Sequence, residues 1–175
     1  MNKIIVISGK QYSGKDTLAK ILLEELSDFK RIGIGDAIKI EYGKMKNLTF
    51  EEIEKNKHLY RNDLINLGNW GREQNPDYWL NKLSDMDKII VPDVRVLHEL
   101  IYFKNKGAYT IRVNSTYENR SKRGVIVNEN DNTETALDNY ENWDYIIENN
   151  SDYETFKNEA KKLLDKINLY IKLQS

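Results

Sequence analysis

Short apolar runs alternate along the chain with longer segments whose apolar residues recur at helical spacing. The first run, residues 4–7, is β-branched and short enough to form a buried strand. Four further runs predict strands at residues 31–34, 88–91, 109–113 and 143–147. Strands that alternate with helices are typical of a parallel sheet covered by helices on both faces. The pattern therefore predicts an α/β fold.

Helical segments lie between these strands and after the last of them. Apolar faces or capping signals predict helices within or starting at residues 18–26, 38–42, 49–52, 58–71, 77–83, 97–103 and 151–171. Asp36 is interpreted as the N-cap of the second helix, and residues 49–52 have the spacing of a capping box. No repeat or linker divides the chain. We therefore expect residues 1–175 to form one domain, with a helical insertion at about 36–86.

Composition narrows the class of protein. Of the 175 residues, 39% are apolar and 31% are charged, which is typical of a well-solvated globular domain rather than a disordered chain. The net charge of −1 argues against a broad basic face for nucleic acid, and no apolar stretch is long enough to span a membrane. The chain has no cysteine, which excludes disulfides and thiol catalysis and suits a cytoplasmic protein.

A glycine-rich segment, residues 9–17 (Gly-Lys-Gln-Tyr-Ser-Gly-Lys-Asp-Thr), follows the first strand and precedes the first helix. Gly9 and Gly14 leave room for backbone N–H groups to turn toward an anion. The helix adds its positive N-terminal end, and Lys15 supplies a point charge for the outer phosphates. A strand, a glycine loop and a helix in this order predict a phosphate-binding loop. The alternative is a glycine-rich turn that binds no ligand.

One position of this loop departs from the usual pattern, which has Ser or Thr after the lysine. Here Asp16 occupies that position, and the hydroxyl comes one residue later, at Thr17. A carboxylate there could hold Mg2+ directly or through water, which would leave Thr17 to contact an inner phosphate. With two histidines and no cysteine in the chain, a transition-metal site is not expected.

Basic residues recur beyond this loop, at Lys39, Lys57, Arg61, Arg72, Arg95, Arg120, Lys122 and Arg123. A kinase that joins two phosphorylated substrates must gather two mutually repelling anions, so it needs cations from more than one segment. Lys57 and Arg61 are four residues apart and share a helix face. Asp93 and Arg95 come just after a strand, at the edge where ligands gather in open α/β sheets. The alternative for each cation is a solvated surface residue.

Several segments combine into one recognisable pattern, at residues 13–17, 36–42, 60–63, 68–76, 93–99, 120–124, 137–139 and 143–149. Together they resemble the P-loop kinase group that contains the deoxynucleoside monophosphate kinases and animal-type phosphomevalonate kinase. The aspartate after Gly-Lys is a mark of this group. The resemblance implies the three-layer α/β/α fold of P-loop nucleoside monophosphate kinases, with a mostly five-stranded parallel sheet and a helical lid at about residues 115–132.

The resemblance also implies transfer of the γ-phosphoryl group of ATP to a phosphate monoester, with ATP and Mg2+ as cofactors. The ATP-binding residues would be Gly9, Ser13, Gly14, Lys15, Asp16, Thr17, Arg120 and Arg123, the last two in the lid. The acceptor-binding residues would be Lys10, Tyr12, Lys39, Lys57, Arg61, Arg72 and Arg95. Asp16 and Asp93 would position Mg2+. The catalytic set would be Lys15, Asp93, Arg95 and Arg120.

The acceptor is expected to be a small molecule, a deoxynucleoside monophosphate. Animal-type phosphomevalonate kinases carry basic residues within the glycine loop, where this chain has Gln11 and Tyr12 and only Lys10 is basic. A nucleotide base would favour a flat aromatic side chain, for which the candidates are Tyr12, Trp70, Tyr78 and Trp79. Phosphomevalonate as the acceptor, or a nucleotide-binding module without transfer activity, are the alternatives. Both a monomer and a homodimer stay open as assemblies.

Overall fold

The computed structural model describes residues 2–174, and in these residues five parallel strands form one sheet. The strands are β1 (Ile4–Ser8), β2 (Lys30–Arg31), β3 (Ile89–Val91), β4 (Tyr109–Asn114) and β5 (Tyr145–Glu148). Their order across the sheet is β2-β3-β1-β4-β5, and each neighbouring pair runs parallel. The parallel α/β sheet that the sequence predicts is confirmed.

Helices cover both faces of this sheet. They are α1 (Lys15–Glu25), α2 (Ile34–Lys46), α3 (Phe50–Lys55), α4 (Lys57–Gln74), α5 (Tyr78–Ser84), α6 (Leu97–Asn105), α7 (Tyr117–Arg123), α8 (Asn132–Thr135) and α9 (Tyr153–Leu173). Residues of α1 and α9 form one hydrophobic core with the sheet, and residues of α2, α5 and α6 form the other. These are the three layers of the expected α/β/α arrangement.

Strand β1 lies at the centre of the sheet. Ile5 and Ile7 belong to the core formed with α1 and α9, whereas Ile4 and Val6 belong to the core on the opposite face. All five residues of β1 are buried. A parallel strand that is covered on both faces lacks the polar alternation of a half-exposed strand. This explains why its sequence is one continuous apolar run.

The order of the strands fixes where a ligand site can form. Strands β3 and β2 lie on one side of β1, and β4 and β5 lie on the other. The chain after β1 leads to β2 on the first side, whereas the chain after β3 leads to β4 on the second, so these connections diverge at the carboxyl ends of β1 and β3. Ligands of open α/β sheets bind in the crevice at such a switch point. The glycine-rich loop follows β1 directly, while Asp93 follows β3 and Ser115 follows β4.

The second predicted strand is shorter than expected. It pairs with β3 only through Lys30–Arg31, and α2 begins at Ile34 with Gly33 as its N-cap. Asp36 is therefore not the N-cap, and instead its Oδ2 accepts a hydrogen bond from the Gly33 N–H at 2.8 Å. The Ile34 N–H donates to Asp93 Oδ1 at 2.9 Å. A contact with a residue distant in the chain thus starts the helix here, and the local sequence pattern does not contain that information.

The remaining elements lie close to their predicted positions. Helices α2 to α5 occupy the chain between β2 and β3, where the helical insertion was expected, and α7 lies within the expected lid. Asp152 caps α9, because its Oδ1 accepts a hydrogen bond from the Thr155 N–H at 2.8 Å. In the described part of the chain, no helix combines the length and the apolar character needed to cross a lipid bilayer.

Candidate active site

The glycine-rich loop leads from β1 into the N-terminus of α1. Gly14 has a φ of 106°, in the left-handed region that side chains rarely adopt. A Cβ on Gly14 would also lie 2.3 Å from Asn149 Nδ2, which donates a hydrogen bond to the Ser13 carbonyl at 2.8 Å. Among the described residues, no side chain caps the N-terminus of α1. The first backbone N–H groups of that helix are therefore available to an anion.

Lys15 is the first residue of α1 and is buried, with 7% of its surface exposed. Burial and, after it, the charge of Arg95 lower the pKa of the Lys15 ammonium. The carboxylates of Asp16, Glu134 and Asp93 act in the opposite direction. A pKa that burial and nearby charges perturb in this way is typical of functional sites.

Two buried polar atoms, Ser13 Oγ in the loop and Arg120 Nε of α7, have no hydrogen-bond partner among the described residues. Leaving such an atom unpaired costs about 1–3 kcal/mol. Phosphate oxygens accept hydrogen bonds from both kinds of donor. The residues present, Gly14 and Lys15 included, therefore fit the phosphate groups of ATP.

Helix α7 lies against the loop and holds its backbone. Arg123 Nη1 donates to the Tyr12 carbonyl at 3.0 Å, and Nη2 donates to the Asn149 carbonyl at 2.7 Å. Arg120 is also buried, donates to the Gln11 carbonyl at 3.3 Å and forms an ion pair with Glu129. Both arginines of the expected lid thus reach the phosphate-binding loop. Their contact with ATP itself stays a prediction.

Tyr12 belongs to the loop rather than to the acceptor side of the site. Its φ is 58°, in the left-handed region, and its ring packs against the end of α7. A Cβ on Gly124 would lie 2.2 Å from the ring, so the exposed ring would have to move before any other residue could fit there. Tyr12 also lines a cleft of about 390 Å³ together with Lys15 and Arg123. The structure therefore places Tyr12 beside the phosphate-binding residues.

A second cleft, of about 480 Å³, lies between α2 and α4 and extends to Asp93. It brings together four of the predicted acceptor residues, which are Lys39, Lys57, Arg61 and Arg72. Among the described residues, Lys57, Arg61 and Arg72 have no carboxylate within ion-pair distance. Unpaired cations around one cleft repel one another, and an anionic ligand removes that repulsion. This cleft is a candidate second anion site.

Lys39 differs from the other cations of this cleft because it is already paired. Its Nζ lies 3.0 Å from Asp36 Oδ1 and also forms an ion pair with Glu54. Burial tends to lower the pKa of the Lys39 ammonium, but the hydrogen bonds to Glu54 and Asp36 outweigh burial and raise it. Lys39 would therefore have to share or exchange a partner in order to bind an acceptor.

The two carboxylates predicted to position Mg2+ lie in different environments. Asp93 accepts hydrogen bonds from the N-terminus of α2, and burial raises the pKa of its carboxyl. Asp16 is exposed and pairs with Arg31 at 3.1 Å. In the described part of the chain, no group of three or more His, Cys, Asp or Glu side chains could hold a metal ion. Mg2+ usually binds through one or two carboxylates together with substrate phosphates, so this donor set fits a magnesium–nucleotide complex.

Arg95 lies next to the loop, not in the acceptor cleft. Its Nη1 donates to Glu134 Oε1 at 2.9 Å, and Glu134 Oε2 accepts a hydrogen bond from the Gln11 N–H at 2.9 Å. Sequence reasoning missed Glu134, which is an acid in an Asn-rich segment. No periodicity or spacing marks it, because its partners are distant in the chain.

Other predicted residues lie apart from the acceptor cleft. Lys10 pairs with Asp138 at 2.8 Å, and Asp138 also accepts from the buried Arg112 at 3.4 Å. Trp79 is buried with 2% exposure and donates to the Gly68 carbonyl at 3.0 Å. None of the four aromatic candidates is among the described residues that line the acceptor cleft. The stacking of a base on one of them therefore stays a prediction.

Comparisons of sequence identify two kinase families and a curated relative. The family model "Phosphomevalonate kinase" matches residues 7–109, and the family model "Deoxynucleotide monophosphate kinase" matches residues 59–160. Each match covers more than half of the 175 residues. A phosphomevalonate kinase of Drosophila melanogaster is 29% identical over 139 residues, which cover 71% of this chain and 74% of the relative.

Comparisons of structure agree on the fold. A shikimate kinase from Aquifex aeolicus matches 95% of this chain and 98% of its own, with a TM-score of 0.56 and 18% identity. A shikimate kinase from Acinetobacter baumannii in complex with shikimate matches 95% of this chain and 93% of its own, with a TM-score of 0.56 and 16% identity. At such low identity these structures support the fold alone. The sequence matches show more, and the chain belongs to the P-loop kinase group of phosphomevalonate kinase and deoxynucleotide monophosphate kinase.

Proposed function

We propose that this kinase transfers a phosphoryl group from ATP to a deoxynucleoside monophosphate, giving ADP and the nucleoside diphosphate. Phosphoryl transfer itself follows from the family. The observation that carries the rest of the proposal is the cluster of unpaired cations, Lys57, Arg61 and Arg72, in a cleft separate from the phosphate-binding loop. A protein that only holds ATP has no use for a second anion site.

The donor side of the proposal rests on the loop. When bound, ATP supplies the phosphoryl group and Mg2+ neutralises part of the phosphate charge. The backbone N–H groups at the start of α1 and the ammonium of Lys15 would bind the phosphates. Thr17 would contact an inner phosphate, and Asp16 and Asp93 would hold the ion and its waters. Arg120 and Arg123, which already hold the loop, would exclude water on that side.

The acceptor site needs positive charge more than it needs a general base. A phosphate monoester is largely ionised near neutral pH, so its oxygen needs no general base of unusual strength. Lys57, Arg61 and Arg72 would orient the acceptor phosphate and reduce its repulsion from the donor phosphates. Arg95, whose side chain is 37% exposed beside the loop, would contact the group in transfer.

The cleft itself supports a nucleotide as the acceptor. Its volume of about 480 Å³ suits a ligand of nucleotide size. Ile38, Leu64 and Ile65 give it an apolar wall for a base, and the amide of Asn69 offers both a donor and an acceptor for a base edge. A cytoplasmic location is part of the proposal, since a chain without cysteine forms no disulfides.

Phosphomevalonate is the second candidate acceptor. The Drosophila melanogaster relative carries that activity in its name, and no aromatic residue predicted to stack on a base lines the cleft in the described part of the chain. Phosphomevalonate carries a carboxylate besides its phosphate, and the surplus of cations around the cleft would suit both charges.

A panel of acceptors distinguishes these possibilities. ADP release is measured with MgATP and, separately, each dNMP, each NMP and phosphomevalonate. We expect at least one dNMP to accelerate ADP release far above the rate with ATP alone. If phosphomevalonate alone accelerated ADP release, phosphomevalonate would replace the deoxynucleoside monophosphate as the proposed acceptor. If no acceptor changed the rate, the proposal of an acceptor kinase would be wrong and the chain would be a nucleotide-binding module.

A further inference from the structure

Glu134 is an acid buried between the phosphate-binding loop and Arg95. Its side chain is 2% exposed, and each carboxylate oxygen has one donor. Oε1 accepts from Arg95 Nη1, and Oε2 accepts from the Gln11 N–H, both at 2.9 Å. Burying a carboxylate is costly unless it is paired and hydrogen-bonded. Both conditions are met only because Glu134 lies between these two groups.

The partners of Glu134 belong to different parts of the machinery. Gln11 lies in the phosphate-binding loop, and its carbonyl also accepts from Arg120 of α7. Arg95 follows β3, and its positive charge lowers the pKa of the Lys15 ammonium. Among the described residues, the hydrogen bonds of the Arg95 guanidinium use Nη1 alone, so its remaining N–H groups stay available to a ligand. One carboxylate therefore fixes the loop and the arginine relative to each other.

We propose that Glu134 is a positioning residue, which aligns Arg95 with the phosphate-binding loop so that both meet the phosphoryl group in transfer. This inference rests on the proposed phosphoryl transfer but not on the choice of acceptor. A displacement of about 1 Å of a group that stabilises a transition state is enough to lower the rate about 100-fold. Glu134 would thus act through Arg95 without touching the substrate.

A purely structural role would have different consequences. Loss of the buried ion pair would then lower stability and activity together, with no particular effect on the transition state. A positioning role predicts a fall in kcat at nearly unchanged KM values, because Arg95 stays in the site but no longer meets the phosphoryl group in transfer.

Two substitutions at this position separate charge from geometry. Glu134→Gln keeps the length of the side chain and removes its charge, whereas Glu134→Asp keeps the charge and shortens the reach. The matched control is Asp131→Asn in the same segment. Asp131 is exposed and caps α8 by accepting from the Thr133 N–H at 2.9 Å, but it contacts neither Arg95 nor the loop. Because asparagine caps a helix about as well as aspartate, this variant controls for the loss of a carboxylate in the same segment.

The experiment measures kcat, the KM of ATP, the KM of the acceptor and thermal stability, with MgATP and with each acceptor of the panel above that wild type phosphorylates. Glu134→Gln should lower kcat by about 10- to 100-fold and change both KM values much less. Glu134→Asp, which keeps the charge that pairs with Arg95, should lower kcat less than Glu134→Gln. Asp131→Asn should leave kcat as in wild type.

Two results would overturn the inference while leaving the kinase intact. One is a Glu134→Gln variant with the kcat of wild type. The other is a loss of kcat that Asp131→Asn reproduces or that comes with an equally large rise in both KM values, which would make Glu134 merely structural. A wild-type chain that transfers no phosphoryl group to any acceptor of that panel would overturn the proposed function, and this inference with it.

Discussion

Replacing Gly71 by alanine tests the packing that places the acceptor cleft. Gly71 lies in α4, and a Cβ there would come within 2.6 Å of Trp79 Nε1, 2.7 Å of Cε2 and 2.8 Å of Cζ2. Trp79 is 2% exposed and belongs to the core beneath α2 and α5. The indole therefore cannot move aside into solvent, and it must shift about 1 Å to restore ordinary contact distances.

The size of the effect follows from three contributions. Overpacking a well-packed core costs about 1–3 kcal/mol. The shift also weakens the buried hydrogen bond from Trp79 Nε1 to the Gly68 carbonyl, 3.0 Å in the structure, at a cost of about 1–3 kcal/mol. Alanine recovers about 1 kcal/mol of helix propensity over glycine. We expect a net loss of about 1–5 kcal/mol, which lowers Tm by about 2–20 °C in a chain of this length.

Gly35→Ala is the matched control. Gly35 also lies in a helix, α2, but nothing lies within 4 Å of the position that its Cβ would occupy. The control should therefore match wild type or gain up to about 1 kcal/mol. The assay is urea unfolding followed by tryptophan fluorescence, with thermal unfolding as a second measure. If Gly71→Ala were as stable as Gly35→Ala, the packing described for α4 and α5 would be wrong.

Two further changes probe the loop and its surroundings. Asn149→Asp removes the amide that donates to the Ser13 carbonyl, so we expect the free energy of unfolding to fall by about 1–3 kcal/mol and the KM of ATP to rise. Asn150→Asp, at an exposed position, is the control. If the two variants behaved alike, Asn149 would not have the role described. Burial raises the pKa of Asp93 above its ordinary value of 3.8, so its contribution to stability is complete below that value and is lost as pH rises through the higher folded pKa. The free energy of unfolding of wild type minus that of Asp93→Asn should therefore fall with rising pH above about 4, and a flat difference in urea titrations at several pH values would contradict this.

The fold could be predicted from sequence because its signals are local. The continuous apolar run of β1 and the glycine loop after it lie within the first 17 residues and need no distant partner to be recognised. The boundary of β2 could not be predicted in the same way. Asp93, far along the chain, accepts the first hydrogen bond of α2 and ends the extended segment before Ile34.

The same distinction between local signals and distant contacts applies to the residues of the candidate site. The cations Lys57, Arg61 and Arg72 could be proposed from residue type and helical spacing, and the structure brings them to one cleft. Glu134 could not be proposed, because its role arises from contacts with Gln11 and Arg95 at separations of 123 and 39 residues. A buried acid in a polar segment has the same local sequence as an exposed one.

For several aromatic side chains, residue type suggests stacking on a base, whereas the structure shows packing within the protein. Trp79 was a candidate for stacking on a base because of its flat ring, but its indole fills the core between α4 and α5. Trp70 and Tyr78 pack edge to face with their ring centroids 5.4 Å apart. Residue type alone cannot tell a ring that binds a ligand from one that packs, since both demands select the same side chains.

The acceptor KM of Arg61→Ala and Arg72→Ala, measured beside the KM of ATP, tests the two-site account most directly. Each variant should raise the acceptor KM by about 10-fold or more, because a charge-assisted hydrogen bond to phosphate is lost, while the KM of ATP stays within about twofold. Lys55→Ala, an exposed lysine of α3 outside the cleft, should change neither constant. An unchanged acceptor KM, or a rise in the KM of ATP instead, would contradict the division of the site into donor and acceptor halves.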